Sequence, residues 1–271
     1  MPLTFDAEKH IYRLDGKRVP GVTTLIGGGI PKPQLIDWAA REVALFVDDN
    51  PLEIERLRNE PEPTEGNPRG LSALALTLSK VHKVKRDTAA LRGTEIHDLG
   101  QRYLEGEEIE IPLGHEQEVE GLVKFIEDWE LEPLIVEHSL AHRGERYAGR
   151  VDFIGTSPYL NGGEPVLIDW KTSNGVYGDT ALQAAAYALA DFHVTDDDPA
   201  TELEIPHITQ TFVAHIRPGL TELHPLALER AEMERQFEIF RAAASIYRTS
   251  NERKKWLRPA LETPTQANLA A

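Results

Sequence analysis

The order of helix-like and strand-like segments constrains the fold of this chain more than any single motif does. Apolar residues follow helical spacing over about 72–84, 87–104 and 116–130. Strand-like runs come next, at 133–141, 147–155 and 165–171. The order is completed by a helix over about 180–192, strands at 207–216 and 221–225, and a long helix over 227–248. This alternation predicts an α/β fold with a central mixed β-sheet flanked by helices.

The N-terminal third predicts an elaboration beside that sheet. Short strand patterns around an Asp15-Gly16 turn predict a hairpin, with strands at 3–5, 10–14 and 17–19. A helix is expected over about 34–47. The predicted organisation is an N-terminal elaboration over 1–85, a core domain over 86–256 and a flexible tail over 257–271.

Two segments of the N-terminal third predict loops. Gly27-Gly28-Gly29 lacks the spacing of a phosphate-binding glycine motif, so we predict a plain loop there. Residues 59–70 are rich in proline, glycine and acid, which indicates a connector between helices.

Composition bounds the class of protein. The chain has 271 residues, of which 41% are hydrophobic and 27% charged, as in a globular protein with a sizeable core. It has no cysteine, which excludes disulfides, cysteine nucleophiles and iron–sulfur clusters held by thiolates. Neither a membrane-length apolar stretch nor a secretory signal is visible, so we expect a cytoplasmic protein with no membrane partner.

The charge distribution leaves one question open. A net charge of −16 argues against broad, non-specific binding to DNA, although it permits a local basic groove. Basic residues cluster in one short stretch, which contains Lys80, Lys83, Lys85, Arg86 and Arg92. The cluster is either a solvated helix face or a surface that contacts phosphates.

Three acid-x-Lys triplets occur in the chain, and their surroundings distinguish them. Asp15…Lys17 belongs to the predicted turn, and Glu252…Lys254 lies in a polar stretch with no strand pattern. Only Asp169-Trp170-Lys171 ends an apolar, strand-like run. Residues two apart on a strand point to the same face, so the Asp169 carboxylate and the Lys171 ammonium are expected side by side.

A second aspartate is expected beside this triplet. Asp152 lies on the preceding predicted strand, and a glycine-containing turn connects the two strands. Antiparallel pairing would bring Asp152 and Asp169 within reach of one cation. Oxygen ligands of this kind suit Mg²⁺ or Mn²⁺, so we predict a site for one or two such ions.

Four short motifs then follow one another in order between residues 88 and 190. They read Gly93-Thr94-Glu95-Ile96-His97, Gly149-Arg150-Val151-Asp152, Asp169-Trp170-Lys171 and Gln183-Ala184-Ala185-Ala186-Tyr187. In this set and order the chain resembles the PD-(D/E)xK nucleases, specifically their RecB-type branch. Its elaborated N-terminus looks like that of phage-encoded exonucleases of this branch.

The resemblance implies a restriction-endonuclease-like core and metal-dependent cleavage of DNA, in the host cytoplasm for a phage protein. Two features depart from particular relatives. CRISPR-associated members hold an iron–sulfur cluster through cysteines, which this chain lacks, and helicase-linked members carry a motor motif, GxxxxGK[ST], that is absent here. A stand-alone nuclease, or a subunit that borrows its processivity from a partner, is therefore expected.

The resemblance also implies residue roles. Asp152 and Asp169 would bind metal, with His97 as a third ligand, and Lys171 would assist catalysis while keeping its charge. Glu137, on the strand before Asp152, either binds metal, directly or through water, or faces solvent. Two further residues, Gln183 and Tyr187, share a helix face and contact the DNA backbone, position Lys171, or serve as ordinary packing.

The sequence thus predicts a Mg²⁺- or Mn²⁺-dependent deoxyribonuclease, most simply an exonuclease in recombination, repair or end-processing. The expected partners are DNA and either further copies of the chain or a recombination protein that supplies retention on DNA. Two alternatives stay open. The fold could serve as a non-catalytic module that binds DNA ends or proteins, or the site could act on a small phosphoester.

Overall fold

The computed structural model describes residues 2–67 and 69–261. Over this part of the chain the strands are β1 (Leu3–Asp6), β2 (Ile11–Leu14), β3 (Lys17–Val19), β4 (Glu132–His142), β5 (Tyr147–Thr156), β6 (Val166–Lys171), β7 (Phe192–Val194), β8 (Gln210–Arg217) and β9 (Leu220–Ala227). The helices are α1 (Val22–Gly29), α2 (Gln34–Asp49), α3 (Pro51–Asn59), α4 (Ala73–Leu78), α5 (Val81–Leu104), α6 (Glu116–Asp128), α7 (Asp179–Ala188), α8 (Arg230–Arg248) and α9 (Ser250–Arg253).

The centre of the fold is a six-stranded mixed sheet. Its order is β7-β4-β5-β6-β8-β9, in which β6 and β8 are parallel and the other neighbours antiparallel. One face packs against α1, α7 and α8, and the other against α5 and α6. Both faces of β6 are buried, which explains its continuous apolar run. The predicted α/β class with a mixed central sheet is confirmed.

The three N-terminal strands form a second, antiparallel sheet, in the order β1-β2-β3. Its apolar side chains, Leu3, Tyr12, Leu14 and Val19, form one core cluster with residues of the central sheet: Ala141, Ala148, Phe192 and Val194. A backbone hydrogen bond from Ala148 to the Pro20 carbonyl joins the two parts. The N-terminal sheet is therefore fastened directly to β4, β5 and β7.

The prediction of a loop at Gly27-Gly28-Gly29 is wrong, because these glycines end helix α1. They allow α1 to pack closely on α8. A Cβ atom at Gly29 would overlap the Ala243 carbonyl oxygen and lie 2.6 Å from its carbonyl carbon, and one at Gly28 would overlap the Tyr247 ring. Close helix packing, rather than a turn, accounts for the run.

Three smaller predictions also differ from the structure. The helical segments predicted to break near residue 86 form one continuous helix from Val81, so α5 crosses position 85. Phe192 begins β7 instead of ending a helix, and residues 51–59 form a helix that was not predicted. Of the predicted tail, residues 257–261 contain no helix or strand, and 262–271 lie outside the described residues.

A buried histidine pair links β4 to the edge strand β7. The Nδ1 atoms of His138 and His193 are 2.9 Å apart, and the two rings stack with centroids 5.0 Å apart. His193 is only 5% exposed. Burial, together with the neighbouring His138, lowers the pKa of His193 from its ordinary 6.5 to about 4. The folded protein therefore holds His193 neutral in mildly acidic solution.

We expect this histidine to make the protein acid-sensitive. Between about pH 6.5 and 4 the unfolded chain binds a proton at His193 that the folded chain rejects, so the free energy of unfolding falls as the pH falls. His193→Gln keeps a hydrogen-bond donor for His138. It should reduce the loss of unfolding free energy between pH 7.5 and pH 5 by about 1 kcal/mol, allowing for solvent screening. Urea unfolding at both pH values measures it. An unchanged pH dependence in the variant would contradict the assignment.

Candidate metal centre

The site begins with Asp152, near the middle of β5 where it pairs with the end of β6. Its side chain is almost fully buried. Oδ2 accepts a hydrogen bond from the Trp170 N–H at 2.7 Å, which ties the carboxylate to the backbone of β6. Oδ1 lies 3.5 Å from Nδ1 of His97, on α5. One oxygen is therefore anchored and the other faces the imidazole.

A distortion of β4 places Glu137 beside Asp152 and His97. Regular pairing between β4 and β5 joins Val136 to Phe153 and His138 to Val151, and Glu137 lies between these pairs, across from Asp152. Its φ angle is 52°, in the left-handed region that costs a residue with a Cβ about 1–2 kcal/mol. Such strain within a strand is typical of functional positions.

One oxygen of the Glu137 carboxylate accepts a hydrogen bond, and the other faces His97. Oε2 accepts a hydrogen bond from Nε of Arg150 at 2.8 Å. Oε1 is buried, has no hydrogen-bond partner among the described residues and lies 3.4 Å from His97 Nδ1. Arg150 also pairs with Asp196 at 3.1 Å, so its guanidinium holds Glu137 in place from the side. An orphaned, buried carboxylate oxygen aimed at an imidazole is the arrangement that a cation would complete.

His97, Glu137 and Asp152 together could hold a metal ion. One ligand atom from each lies within 4.8 Å of the others. Ligands of a single Mg²⁺ at about 2.1 Å are separated by no more than about 4.2 Å, so small side-chain movements would close the shell. The His97 ring also packs edge-on against Trp170, with centroids 5.8 Å apart, and this contact fixes its direction. The donor set, two carboxylates and one imidazole, fits a divalent cation.

Asp169 and Lys171 lie beside this group without belonging to it. Asp169 is 1% exposed, and its Oδ1 accepts from Gln183 Nε2 at 2.9 Å while Oδ2 pairs with Lys171 Nζ at 2.6 Å. Oδ1 thus has a hydrogen-bond partner, and Oδ2 lies in an ion pair. The structure brings Asp169 next to Asp152 through Trp170 but places Glu137, rather than Asp169, in the three-residue group.

Burial and close charges shift the four central titrating groups. Burial raises the pKa of Asp169 to about 6, with Asp152 adding to the effect and Lys171 opposing it. Burial also works against charge on Asp152, His97 and Lys171, but opposite charges outweigh it. The pKa of Asp152 is lowered, chiefly by His97, that of His97 is raised to about 10, and that of Lys171 is raised by the carboxylates. Lys171 therefore carries an ammonium at neutral pH.

The glycines of the four motifs allow the motifs to pack on one another. A Cβ at Gly149 would overlap the Tyr187 ring, with Cζ at 3.1 Å, and a Cβ at Gly93 would lie 2.9 Å from Thr172 Oγ1. Tyr187 is 4% exposed, and its hydroxyl accepts from Gln183 at 3.2 Å. Gln183 therefore holds Asp169 in place, and the buried Tyr187 supports Gln183.

The residues of the basic cluster do not belong to the metal centre, and several of them pair with acids. Lys85 forms an ion pair with Glu42 on α2, and Arg86 donates to Asp87 at 2.7 Å. Lys80 and Lys83 have exposed side chains at the start of α5. Arg92 forms an ion pair with Glu118 on α6. The cluster is solvent-facing, and acids within the chain pair with three of its members.

Two features of the structure were missed by sequence reasoning. A second group with metal-ligand atoms within 4.8 Å of one another, His215, Glu222 and His224, lies across β8 and β9. A cavity of about 830 Å³ opens between the N-terminal sheet, α5 and β4, and His97 and Glu137 form part of its wall. The alternation of β8 and β9 could have indicated the first, whereas only the packing of β1–β3 reveals the second.

Comparison with known proteins assigns no family to this chain. No protein-family model matches the sequence, and no curated protein matches it either. Among the described residues, none of the helices is long and apolar enough to cross a membrane.

Proposed function

We propose that this chain is a metal-dependent deoxyribonuclease, an exonuclease of the PD-(D/E)xK type that hydrolyses phosphodiester bonds at DNA ends. One observation carries the proposal: His97, Glu137 and Asp152 converge on a point that lies beside the buried Asp169–Lys171 ion pair. A cation site next to a fixed ammonium favours phosphodiester hydrolysis, because negative charge builds up on the phosphate oxygens in the transition state.

The donor set supports Mg²⁺ or Mn²⁺. Carboxylate oxygens suit both ions, and the imidazole makes Mn²⁺ an effective substitute. When bound, such an ion lowers the pKa of a coordinated water and polarises the phosphate. A histidine must be neutral to bind a metal ion. Because the pKa of His97 is raised in the free protein, metal binding would require His97 to lose a proton.

The chain's own residues divide the remaining work. Glu137, Asp152 and His97 would bind the ion, and Arg150 keeps Glu137 directed at it. Lys171 would orient the attacking water and offset charge on the phosphate. Asp169 holds the Lys171 ammonium in position, since the two groups are 2.6 Å apart and Gln183 secures the other oxygen.

The test is metal-dependent cleavage of 5′-labelled, 3′-labelled and circular DNA in parallel. We expect linear DNA to be degraded with Mg²⁺ or Mn²⁺ and to survive with EDTA, and the two labels to report the polarity. Asp152→Asn, which keeps an oxygen for the Trp170 N–H, and Asp169→Ala should both lower the rate by about 10²-fold or more.

The matched control is Glu252→Ala, the exposed acid of another acid-x-Lys triplet, which should leave the rate unchanged. Equal activity in Asp152→Asn, in protein shown to be free of other nucleases, would contradict the site. Metal-dependent DNA binding without cleavage would favour a non-catalytic end-binding module, and turnover of a small phosphoester alone would indicate a different hydrolase.

Retention on DNA is a separate part of the proposal. With a net charge of −16 the chain would bind DNA weakly and non-specifically. We infer that further copies of the chain or a partner recombination protein hold it on its substrate.

A further inference from the structure

The cavity beside the metal centre has an aromatic wall built by the N-terminal sheet. Phe5 and Tyr12 stack with ring centroids 4.5 Å apart and planes 20° apart, and His10 meets Phe5 edge-on at 5.2 Å. All three line the cavity, as do His97 and Glu137 of the metal centre. We call this space the aromatic cavity. Its volume, about 830 Å³, is that of a small-molecule binding site.

Charge decides which part of a nucleotide the aromatic cavity can accept. The lining contains three carboxylates, those of Asp98, Glu137 and Asp196, and one guanidinium, that of Arg150. Arg150 is already paired with both Glu137 and Asp196. Outside the metal centre at His97 and Glu137, the lining therefore disfavours a second phosphate, whereas it would attract a neutral ring with N–H donors on its edge.

A buried hydroxyl in the cavity lining has no partner. Ser139, on β4, is 2% exposed, and its Oγ makes no hydrogen bond within the described residues. Gln101 on α5 also lines the cavity. A buried polar group without a partner is costly, and a small local movement that let a ligand reach this hydroxyl would remove that cost.

We propose that the aromatic cavity binds the unpaired nucleobase of the nucleotide next to the scissile phosphate. The flat aromatic wall offers stacking to any base, and the acidic edge and Ser139 favour bases that carry an amino group. This inference rests on the proposed nuclease function, since it places the phosphate at His97, Glu137 and Asp152. It specifies that the substrate end is single-stranded where it enters the site, and it gives β1–β3 a role in binding.

The test uses oligonucleotides that carry the fluorescent base 2-aminopurine at the terminal or at an internal position. They are mixed with full-length Lys171→Met protein and Mg²⁺, so that binding is observed without cleavage. Binding should quench the terminal probe by stacking and leave the emission of the internal probe unchanged. Phe5→Leu should restore the terminal fluorescence and weaken binding about 10-fold, which corresponds to the loss of one base–aromatic stack.

Two further variants keep the result interpretable. Ser139→Ala removes a hydroxyl that has no partner in the part of the chain that the structure describes. It should therefore leave folding unchanged and weaken binding of the amino-bearing base severalfold. Tyr159→Leu removes an exposed aromatic ring outside the cavity lining and should change neither quantity.

The possible failures are distinguishable. If wild-type protein cleaves DNA but the terminal probe is not quenched, or is quenched equally in Phe5→Leu, the cavity inference is overturned and the nuclease proposal stands. If wild-type protein neither binds nor cleaves any DNA, both are overturned. Circular dichroism of each variant establishes that a loss of binding is not a loss of fold.

Discussion

Replacing Lys171 by methionine should lower the rate of metal-dependent DNA cleavage by about 10³-fold, a loss of roughly 4 kcal/mol of transition-state stabilisation. Methionine keeps the length of the side chain and removes the charge. The Lys171 ammonium lies 2.6 Å from Asp169 and is held protonated by the surrounding carboxylates. It is not one of the candidate ligands, so Mn²⁺ affinity, measured by calorimetry, should stay within a few-fold of wild type.

A catalytic role for Lys171 is indicated if its replacement lowers the cleavage rate but not the affinity for metal. Asp152→Asn should weaken Mn²⁺ binding as well as cleavage, because it removes one of the three converging ligands. Lys171→Arg, which retains the charge in a larger group, should recover part of the rate. Lys124→Met, at an exposed lysine on α6, is the matched surface control and should change nothing. Full activity in Lys171→Met would remove this residue from the mechanism.

Adding one methyl group at Gly29 should destabilise the fold by about 3 kcal/mol. The new Cβ of Gly29→Ala would overlap the carbonyl oxygen of Ala243 and lie 2.6 Å from its carbonyl carbon. Backbone atoms in the middle of α8 cannot rotate away, so α1 and α8 would have to separate. Because α1 contributes Val22, Leu25 and Ile26 to the main core, that separation also exposes apolar surface.

Gly27→Ala provides the matched control in the same helix. A Cβ at Gly27 meets no atom within 4 Å, so alanine should stabilise the helix by about 0.5–1 kcal/mol. Urea unfolding monitored by circular dichroism compares the two variants directly. If Gly29→Ala unfolds at the wild-type urea concentration, the close packing of α1 on α8 would be disproved.

Most of the central sheet could be predicted because its strands have strong local patterns. Val166-Leu167-Ile168 forms a buried strand, and the Gly162–Gly163 turn returns the chain antiparallel from β5 to β6, as expected. The N-terminal glycines could not be interpreted in this way. A glycine run has the same local preference in a loop and at a tight helix contact, and only α8 distinguishes the two.

The sequence by itself determined the α/β class and the positions of most strands of the central sheet, because these depend on local periodicity. Residue type and order singled out four motifs, whose chemical role stays a prediction. Only the tertiary structure decided which candidate residues form the possible metal-binding group and which lie beside it. Glu137 itself has a left-handed backbone conformation at the point where it joins the site. Asp169 pairs with Lys171 and accepts a hydrogen bond from Gln183, and Tyr187 packs on Gly149. These outcomes depend on strand register and on where α5 and α7 cross the sheet. Local sequence does not encode such long-range positions, since contacts between distant segments set them.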